Sequence, residues 1–94
     1  MRIVWAPEAA DDLDAAVGYL AERNAGAASK LAESVVALVE WLASTPVDGP
    51  AHRLRTGEIV RGWPHPPLRI YYQRAEDTLR IVRVYHQRRE PITR

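Results

Sequence analysis

The chain of 94 residues is long enough for one domain, which can bury roughly 60–70% of the surface that the unfolded chain exposes. It contains no cysteine, which excludes disulfides and thiolate metal sites and is typical of a reducing compartment. No apolar run approaches the roughly 20 residues of a membrane span, so we predict a single cytoplasmic domain over residues 1–94 with a net charge of +1 and no membrane contact.

The first half of the chain predicts one strand and two helices. Met1–Trp5 is short, apolar and β-branched in its middle, which is typical of a strand. Pro7 suits the first position of a helix, and Glu8 suits the positive end of the helix dipole. A break at residues 22–26 separates the two helices, and Thr45-Pro46 ends the second. The apolar faces consist of Leu13, Ala16, Val17 and Leu20 in the first helix, and of Ala28, Leu31, Val35, Leu38, Val39 and Leu42 in the second.

The stretch Leu68–His86 predicts a β-hairpin around which the fold is organised. Leu68–Gln73 and Thr78–His86 are rich in β-branched and aromatic residues and flank a polar turn at residues 75–77. The second strand alternates less cleanly than the first, so we expect it to be central and largely covered. Strict alternation places Leu68, Ile70 and Tyr72 on one face of the first strand. In the second strand it places two groups on opposite faces: Leu79, Ile81, Arg83 and Tyr85 on one, and Arg80, Val82, Val84 and His86 on the other.

The segment before this hairpin adds shorter strands. Residues 52–55 and 58–61 flank Thr56-Gly57 and predict two short strands or one bent strand. The prolines of Trp63–Pro67 indicate that this segment is not regular sheet interior. The resulting order is an N-terminal strand, a helical hairpin and then three or four strands joined by short turns. It predicts an α+β domain in which an antiparallel sheet packs on the helices.

Charge is divided unevenly between the two halves. Residues 1–50 carry three basic and eight acidic side chains, a net charge of −5, whereas residues 51–94 carry ten arginines and four acidic side chains, a net charge of +6. This asymmetry indicates an anionic partner for the second half, either a phosphate backbone or an acidic peptide. Arginine suits both, because its guanidinium binds phosphate and carboxylate through two parallel hydrogen bonds. A genome that prefers arginine to lysine is the alternative explanation.

Short motifs occur in order along nearly the whole chain. They are Trp5-Ala6-Pro7 with Ala10 and Leu13, then Tyr19-Leu20, Pro46 and Gly49, Arg61-Gly62-Trp63, Pro67–Tyr72 and Ile81–Arg89. The ordered set, which ends in Arg-Val-Tyr-His-x-Arg-Arg, resembles the ParE/RelE superfamily, the toxins of bacterial type II toxin–antitoxin systems. The resemblance implies the strand-helix-helix-sheet order that the residues predict independently.

The resemblance implies two different activities. RelE-type members cut mRNA on the ribosome with basic side chains of the sheet face, whereas ParE-type members poison DNA gyrase. Arg69 matches the arginine of the RelE-type sheet strand, but the lysines of the preceding strand are absent, since that region reads Glu58–Arg61. Arg61-Gly62-Trp63 and Arg83–His86 are more similar to ParE-type members. We therefore expect a gyrase inhibitor that a cognate antitoxin neutralises in a hetero-oligomer, with operator DNA reached only through the antitoxin.

Several arginines and one tryptophan are candidates for contact with the target or the antitoxin. Arg88 and Arg89 follow the last strand into solvent, which suits a binding contact. Arg83 lies in the middle of a strand, where an unpaired charge is unfavourable, so we expect it to pair with an acid of a helix. Trp41 is one position off the apolar stripe and suits either the core or a partner. The full set of predicted contact residues is Arg61, Arg69, Arg83, Arg88, Arg89 and Trp41.

The alternative activity, mRNA cleavage, requires a base and cations. His86 is the candidate base, and Arg69 with Arg88 or Arg89 could stabilise the charge on the phosphate. Tyr71 or Tyr72 could stack on a nucleobase. We weigh a structural role for His86 above a catalytic one. A third alternative is a chain without toxicity that serves only in a DNA-bound autoregulatory complex.

The sequence predicts no metal and no cofactor. His52, His65 and His86 lack the spacing of a metal site and have no accompanying carboxylate cluster. There is no glycine-rich phosphate loop, and the serines of the predicted helices show no arrangement with histidine and aspartate that would indicate a nucleophile.

Overall fold

The computed structural model describes residues 1–93. Within them the chain forms β1 (Arg2–Trp5), α1 (Pro7–Ala21), α2 (Ala25–Ser44), β2 (Ala51–Arg53), β3 (Ile59–His65), β4 (Leu68–Ala75) and β5 (Thr78–His86). The five strands make one sheet in the order β1-β5-β4-β3-β2, in which β1 is parallel to β5 and the other neighbours are antiparallel. The predicted α+β architecture, a helical hairpin packed on a largely antiparallel sheet, is confirmed.

Both helices begin where the local sequence predicts. Pro7 occupies the first turn of α1, where its missing N–H has no intrahelical acceptor to lose. α2 begins after Asn24, whose side chain accepts a hydrogen bond of 2.9 Å from the Ala27 N–H. Because this cap starts the helix early, only three residues separate the helices, fewer than the predicted break at 22–26.

The main core lies between the helical hairpin and the sheet. Val35 of α2 is fully buried together with Ile70 and Leu79 of the sheet. Trp5 and Trp63 pack against the margin of this core, as the sequence predicts. Each large aliphatic side chain that is buried here contributes roughly 1.5–3 kcal/mol, so hydrophobic burial is the main force that holds the helices to the sheet.

A smaller cluster lies on the opposite face of the sheet and uses the chain after β5. Ile92 is 3% exposed and packs with Tyr71 and Tyr85. The Thr93 C=O accepts a hydrogen bond of 3.1 Å from the Arg55 N–H, which fixes the end of this segment. Residues 90–93 therefore cover part of the face that the helices leave open.

A β-bulge in β5 corrects the predicted alternation of this strand. Tyr71 pairs with Arg83 but Tyr72 pairs with Ile81, so Val82 is an extra residue without a partner opposite. After the bulge, each side chain of β5 lies on the face opposite to the one that strict alternation predicts. The helix side carries Leu79, Ile81 and Val84, and the opposite side carries Val82 and Tyr85. The prediction that grouped Tyr85 with Ile81 and Val84 with Val82 is wrong, whereas the prediction of a central strand is confirmed, since β5 lies between β1 and β4.

The two strands before the hairpin differ from their predicted extents. β2 is Ala51–Arg53 instead of residues 52–55, and β3 is Ile59–His65 instead of residues 58–61, so that it continues through Pro64. The proline fits because β2 pairs only with Ile59–Arg61. Pro64 therefore lies on a free edge, where no neighbouring strand requires its N–H.

Candidate partner-binding groove

The neighbour of β5 changes halfway along the strand. β1 is only four residues long and ends at Trp5, opposite Ile81. The Ala6 N–H makes one more hydrogen bond, of 2.9 Å, to the Ile81 C=O, and the chain then turns into α1. Within residues 1–93, the last five residues of β5, Val82–His86, therefore have no strand beside them on this edge.

Asp12 of α1 takes the place of a neighbouring strand at Val84. Its Oδ2 accepts the Val84 N–H at 3.0 Å. The same carboxylate binds the Arg83 guanidinium through two hydrogen bonds, from Nε to Oδ2 at 2.7 Å and from Nη2 to Oδ1 at 3.0 Å. The Asp12 side chain is 16% exposed and the Arg83 side chain 14%. The predicted pairing of Arg83 with a helix acid is confirmed.

The Asp12 carboxyl is held in its ionised form by these contacts. Burial opposes ionisation, but the hydrogen bonds from Arg83 and from the Val84 N–H outweigh it and lower the pKa of Asp12 from its ordinary value. Arg89 adds a smaller electrostatic attraction. The carboxylate is therefore charged at neutral pH, and Arg83 compensates its charge.

Beyond Asp12 the outer edge of β5 carries one further backbone acceptor and one donor, of which the acceptor belongs to the largely buried Val84. Successive backbone groups of a strand alternate between its two edges. Because the Val84 N–H binds Asp12, and the Gln87 N–H binds the Pro67 C=O at 2.9 Å on the other side, the Val84 C=O and the His86 N–H point away from β4. Neither group has a hydrogen-bond partner within the described chain.

An apolar groove of about 520 Å³ follows this edge between α1 and the end of β5. One wall is a stripe of α1 at the margin of the main core, and the other is the end of β5 with the turn after it. The lining side chains include Ala15, Ala16, Tyr19 and Leu20 from α1, Leu31 from α2, and Val84, His86 and Arg89 from the opposite wall. Since most of this lining is apolar, the groove can bury apolar groups of a partner.

The rim of the groove carries aromatic and cationic side chains. Tyr19 is 62% exposed, and the Arg23 guanidinium carbon lies 3.8 Å from its ring centroid. On the opposite wall, the Arg89 guanidinium carbon lies 4.0 Å from the Tyr85 ring centroid. Tyrosine and arginine are the residue types that most often dominate binding energy at protein interfaces. The composition of the rim therefore suits contact with a protein segment.

Four of the residues singled out from the sequence meet at this groove. His86 and Arg89 line it, and Arg83 borders it through its pair with Asp12. Arg88 is exposed directly after the strand, and its N–H donates a hydrogen bond of 3.2 Å to the His86 Nδ1. The end of β5 is thus the one place where several of the predicted contact residues come together in the described chain.

The other predicted contact residues lie outside the groove. Arg61 donates from Nη1 to the Gly49 C=O at 3.4 Å, and Arg69 lies on the sheet face away from the helices. Trp41 is 42% exposed and its ring centroid lies 5.3 Å from that of Trp63, so the exposed alternative applies to it. These three residues do not form a common surface with the groove.

The predicted ribonuclease set is only partly assembled: His86, Arg88 and Arg89 lie together at the end of β5, but Arg69 does not join them. Leu68 pairs with His86 across the sheet, and Arg69 follows Leu68, so the side chains of Arg69 and His86 leave the sheet on opposite faces. Tyr71 and Tyr72 are 1% and 0% exposed, so neither offers a ring face to a nucleobase.

Sequence reasoning did not identify the helix wall of the groove. Ala15, Ala16, Tyr19 and Leu20 line it. The sequence predicted Ala16 and Leu20 as part of the apolar face of the first helix and Tyr19-Leu20 as part of a motif, but none of them as the wall of a groove. One available signal was the difference in strand length, since a strand of four residues cannot cover a neighbour of nine. Another was the width of the apolar face of α1, which Ala15 and Tyr19 extend beyond what packing on the sheet requires.

Within the described residues, neither a metal site nor a membrane-spanning helix is found. No group of three or more histidine, cysteine, aspartate or glutamate side chains in residues 1–93 is placed to hold a metal ion. Neither helix within this range has the length and apolar character needed to cross a membrane.

The chain matches the model of a known protein family. The model of a family described as "ParE toxin of type II toxin-antitoxin system, parDE" matches residues 3–91, which include both helices, all strands except the first residue of β1, and the lining of the groove. No curated protein matches the chain.

Proposed function

The chain belongs to the ParE toxin family of type II toxin–antitoxin systems, and from this membership we propose that it inhibits DNA gyrase by binding it and is neutralised by a cognate antitoxin. A segment of the antitoxin occupies the groove between α1 and β5, and the two proteins form a hetero-oligomer. Operator DNA is reached only through the antitoxin. The observation that carries the proposal is the groove, an apolar and uncovered surface on a chain whose family implies a protein partner.

The groove suits a flexible segment that is both apolar and acidic. Its lining can bury aliphatic side chains, while Arg89 and His86 on one wall belong to the half of the chain with a net charge of +6. A segment that becomes ordered on binding loses conformational entropy, which burial in the groove must offset. Added helices and added strands are the two ordinary ways in which such segments bind.

Binding, as opposed to mRNA cleavage, is supported by the positions of the predicted catalytic residues. The separation of Arg69 from His86 leaves the candidate base without one of its predicted cations, although Arg89 lies beside it, and the burial of both tyrosines leaves it without a stacking surface. The segment at residues 90–93 also occupies part of the sheet face that a RelE-type enzyme would use. A toxin that acts by binding requires none of these groups to converge.

The target is tested with two assays on the purified protein. We expect inhibited supercoiling and accumulated cleavage complexes in a gyrase assay, intact mRNA in a translation-coupled cleavage assay, and relief of gyrase inhibition by the antitoxin from the neighbouring reading frame. The variant Arg69→Ala is expected to retain gyrase inhibition, because Arg69, although it is one of the predicted contact residues, lies on the sheet face away from the helices and outside the groove. Cleaved mRNA with normal supercoiling, and loss of that cleavage in Arg69→Ala, would instead establish the enzyme.

The antitoxin site is tested by one substitution in the groove and a matched one outside it. Ala15 is exposed and lines the groove, whereas Ala37 is exposed on the outer side of α2. We expect Ala15→Glu to weaken antitoxin binding at least about tenfold, since it fills the groove and repels an acidic segment. Ala37→Glu changes the charge and the helix propensity by the same amount as Ala15→Glu does, but outside the groove, so it should leave the affinity for the antitoxin unchanged. Isothermal titration calorimetry measures both, and equal affinities for the two variants would place the antitoxin elsewhere.

A further inference from the structure

The open face of the sheet, which is the face away from the helices, carries exposed arginines that the groove does not explain. We infer that this face binds the phosphate backbone of duplex DNA, namely the duplex that gyrase holds, through Arg55, Arg80 and Arg89. This inference rests on the proposed function, because it adds the DNA of the gyrase complex as a second contact of the toxin. Of the three arginines, only Arg89 also lines the groove.

Each of the three arginines lies on or beside the open face. Arg80 lies between two residues of β5 that are fully buried on the helix side, so its exposed side chain leaves the sheet on the open face. The Arg89 guanidinium lies over the ring of Tyr85, which belongs to the cluster of the open face. The exposed Arg55 donates its N–H to the end of the segment 90–93, which covers the centre of this face. The three residues therefore surround the covered centre.

The positive charge of the open face is not compensated within the described chain. Among residues 1–93, none of the three arginines forms an ion pair, and the covering segment contributes one acid, Glu90. Arg69 shares the face but is half-buried between its cross-strand neighbours Pro64 and Tyr85, so we do not count it among the contacts. The helices on the other side belong to the half of the chain with a net charge of −5. A cationic face opposite an acidic layer attracts and orients a polyanion.

The centre of the open face offers little apolar surface to a partner. Tyr71, Tyr85 and Ile92 are only 1%, 5% and 3% exposed. The core of a protein–protein interface is apolar and rich in aromatic residues, whereas protein–DNA interfaces are more polar and more positively charged. Because both rings are buried, unpaired bases find no stacking surface, and a base-paired duplex fits this face better than a single strand.

The arginines are far enough apart to reach several phosphates at once. Arg80 and Tyr85, over which Arg89 lies, are five residues apart on β5, which corresponds to roughly 15 Å. Duplex DNA carries one charge per about 1.7 Å of helix axis, so this distance spans about nine phosphates. Each guanidinium binds a phosphate through two parallel hydrogen bonds. Such contacts do not read base sequence, so recognition of the operator remains with the antitoxin.

Duplex binding is tested on the purified toxin without gyrase. Fluorescence anisotropy of a labelled duplex of about 30 base pairs gives the association constant K between about 50 and 200 mM KCl. The double variant Arg55→Gln with Arg80→Gln should reduce the slope of log K against log [KCl] by about 1.8, since each lost phosphate contact contributes about 0.9. Arg23→Gln on the exposed end of α1 is the matched control and should leave the slope unchanged.

Three results of this experiment would overturn the inference. They are an unchanged slope in the double variant, an equal loss in Arg23→Gln, and no binding of the original chain at the lowest salt concentration. Single-stranded RNA of the same length serves as a competitor. Tighter binding of this RNA than of the duplex would overturn the choice of duplex DNA and favour the mRNA alternative.

Gyrase inhibition tests whether the contact operates in the proposed function. Neither Arg55 nor Arg80 lines the groove, so the double variant should keep its affinity for the antitoxin, which shows that it is folded. The toxin concentration that halves supercoiling should rise at least about tenfold. An unchanged concentration would exclude contact with the DNA of the gyrase complex and leave gyrase inhibition intact. If the original chain does not inhibit gyrase at all, the proposed function fails, and the salt dependence alone then decides whether this face binds DNA.

Discussion

Replacement of Asp12 by alanine is expected to lower the free energy of unfolding by about 3 kcal/mol, because it leaves the largely buried Arg83 guanidinium without its partner. It also leaves the Val84 N–H without an acceptor. For a domain of this size, a loss of about 3 kcal/mol lowers Tm by more than about 10 °C, which differential scanning calorimetry resolves. Asp14→Ala on an exposed position of the same helix serves as the control and should change Tm little.

The charge and the hydrogen bond of Asp12 can be separated by a second variant. Asp12→Asn keeps an oxygen that can accept the Val84 N–H but removes the negative charge that compensates Arg83. We expect its stability to lie between those of the original chain and Asp12→Ala. Equal stabilities of Asp12→Ala and Asp14→Ala would contradict the structural role assigned to the pair.

The same contact predicts how stability depends on acid. Because the pKa of Asp12 is lower in the folded chain than its ordinary value, ionised Asp12 stabilises the fold above about pH 4, and this contribution is lost as the pH falls through the folded pKa. The stability difference between the original chain and Asp12→Ala should therefore diminish in acid. Asp48, whose pKa is also lowered, first by its hydrogen bond from Arg74, is present in both chains and accounts for acid sensitivity that remains in the variant.

The features that the sequence predicted correctly depend on local chemistry. Pro7 starts α1 because of its own ring, and the polar turn between β4 and β5 follows from residues adjacent in the chain. The pairing of Arg83 was also predictable, since a charge in the middle of a strand needs a partner whatever the details of the fold. Such signals require no knowledge of which distant segments meet.

The features that the sequence did not predict depend on the pairing of distant segments. Val82 becomes a bulge only because of the register between β4 and β5, and that register moves Val84 to the core. Ile92 was not predicted to be buried, because its contacts arise only when the chain folds back over the sheet. The groove has the same origin, since β1 leaves the edge of β5 uncovered only in the assembled sheet. Half of the candidate site, the cationic end of β5, was visible in the sequence, and the wall from α1 was not.

Gly49→Ala is expected to destabilise the fold by about 3 kcal/mol, at the upper end of the range for overpacking. A methyl group at this position would overlap the Gly62 carbonyl oxygen and lie 2.8 Å from its carbonyl carbon. Both are backbone atoms of a sheet strand, so no side-chain rotation relieves the contact. The loop after α2 would have to move, and the hydrogen bond of 3.0 Å from the Gly49 N–H to the Tyr72 hydroxyl oxygen would be lost.

A second glycine provides the matched control. Gly18 lies on the exposed side of α1, and a methyl group there meets no atom within 4 Å. Gly18→Ala should therefore stabilise the chain by about 0.5–1 kcal/mol, since alanine loses less backbone entropy in a helix. The same chemical change thus has opposite expected signs at the two positions, and chemical denaturation measures both. A neutral Gly49→Ala would show that the loop after α2 is not pressed against β3.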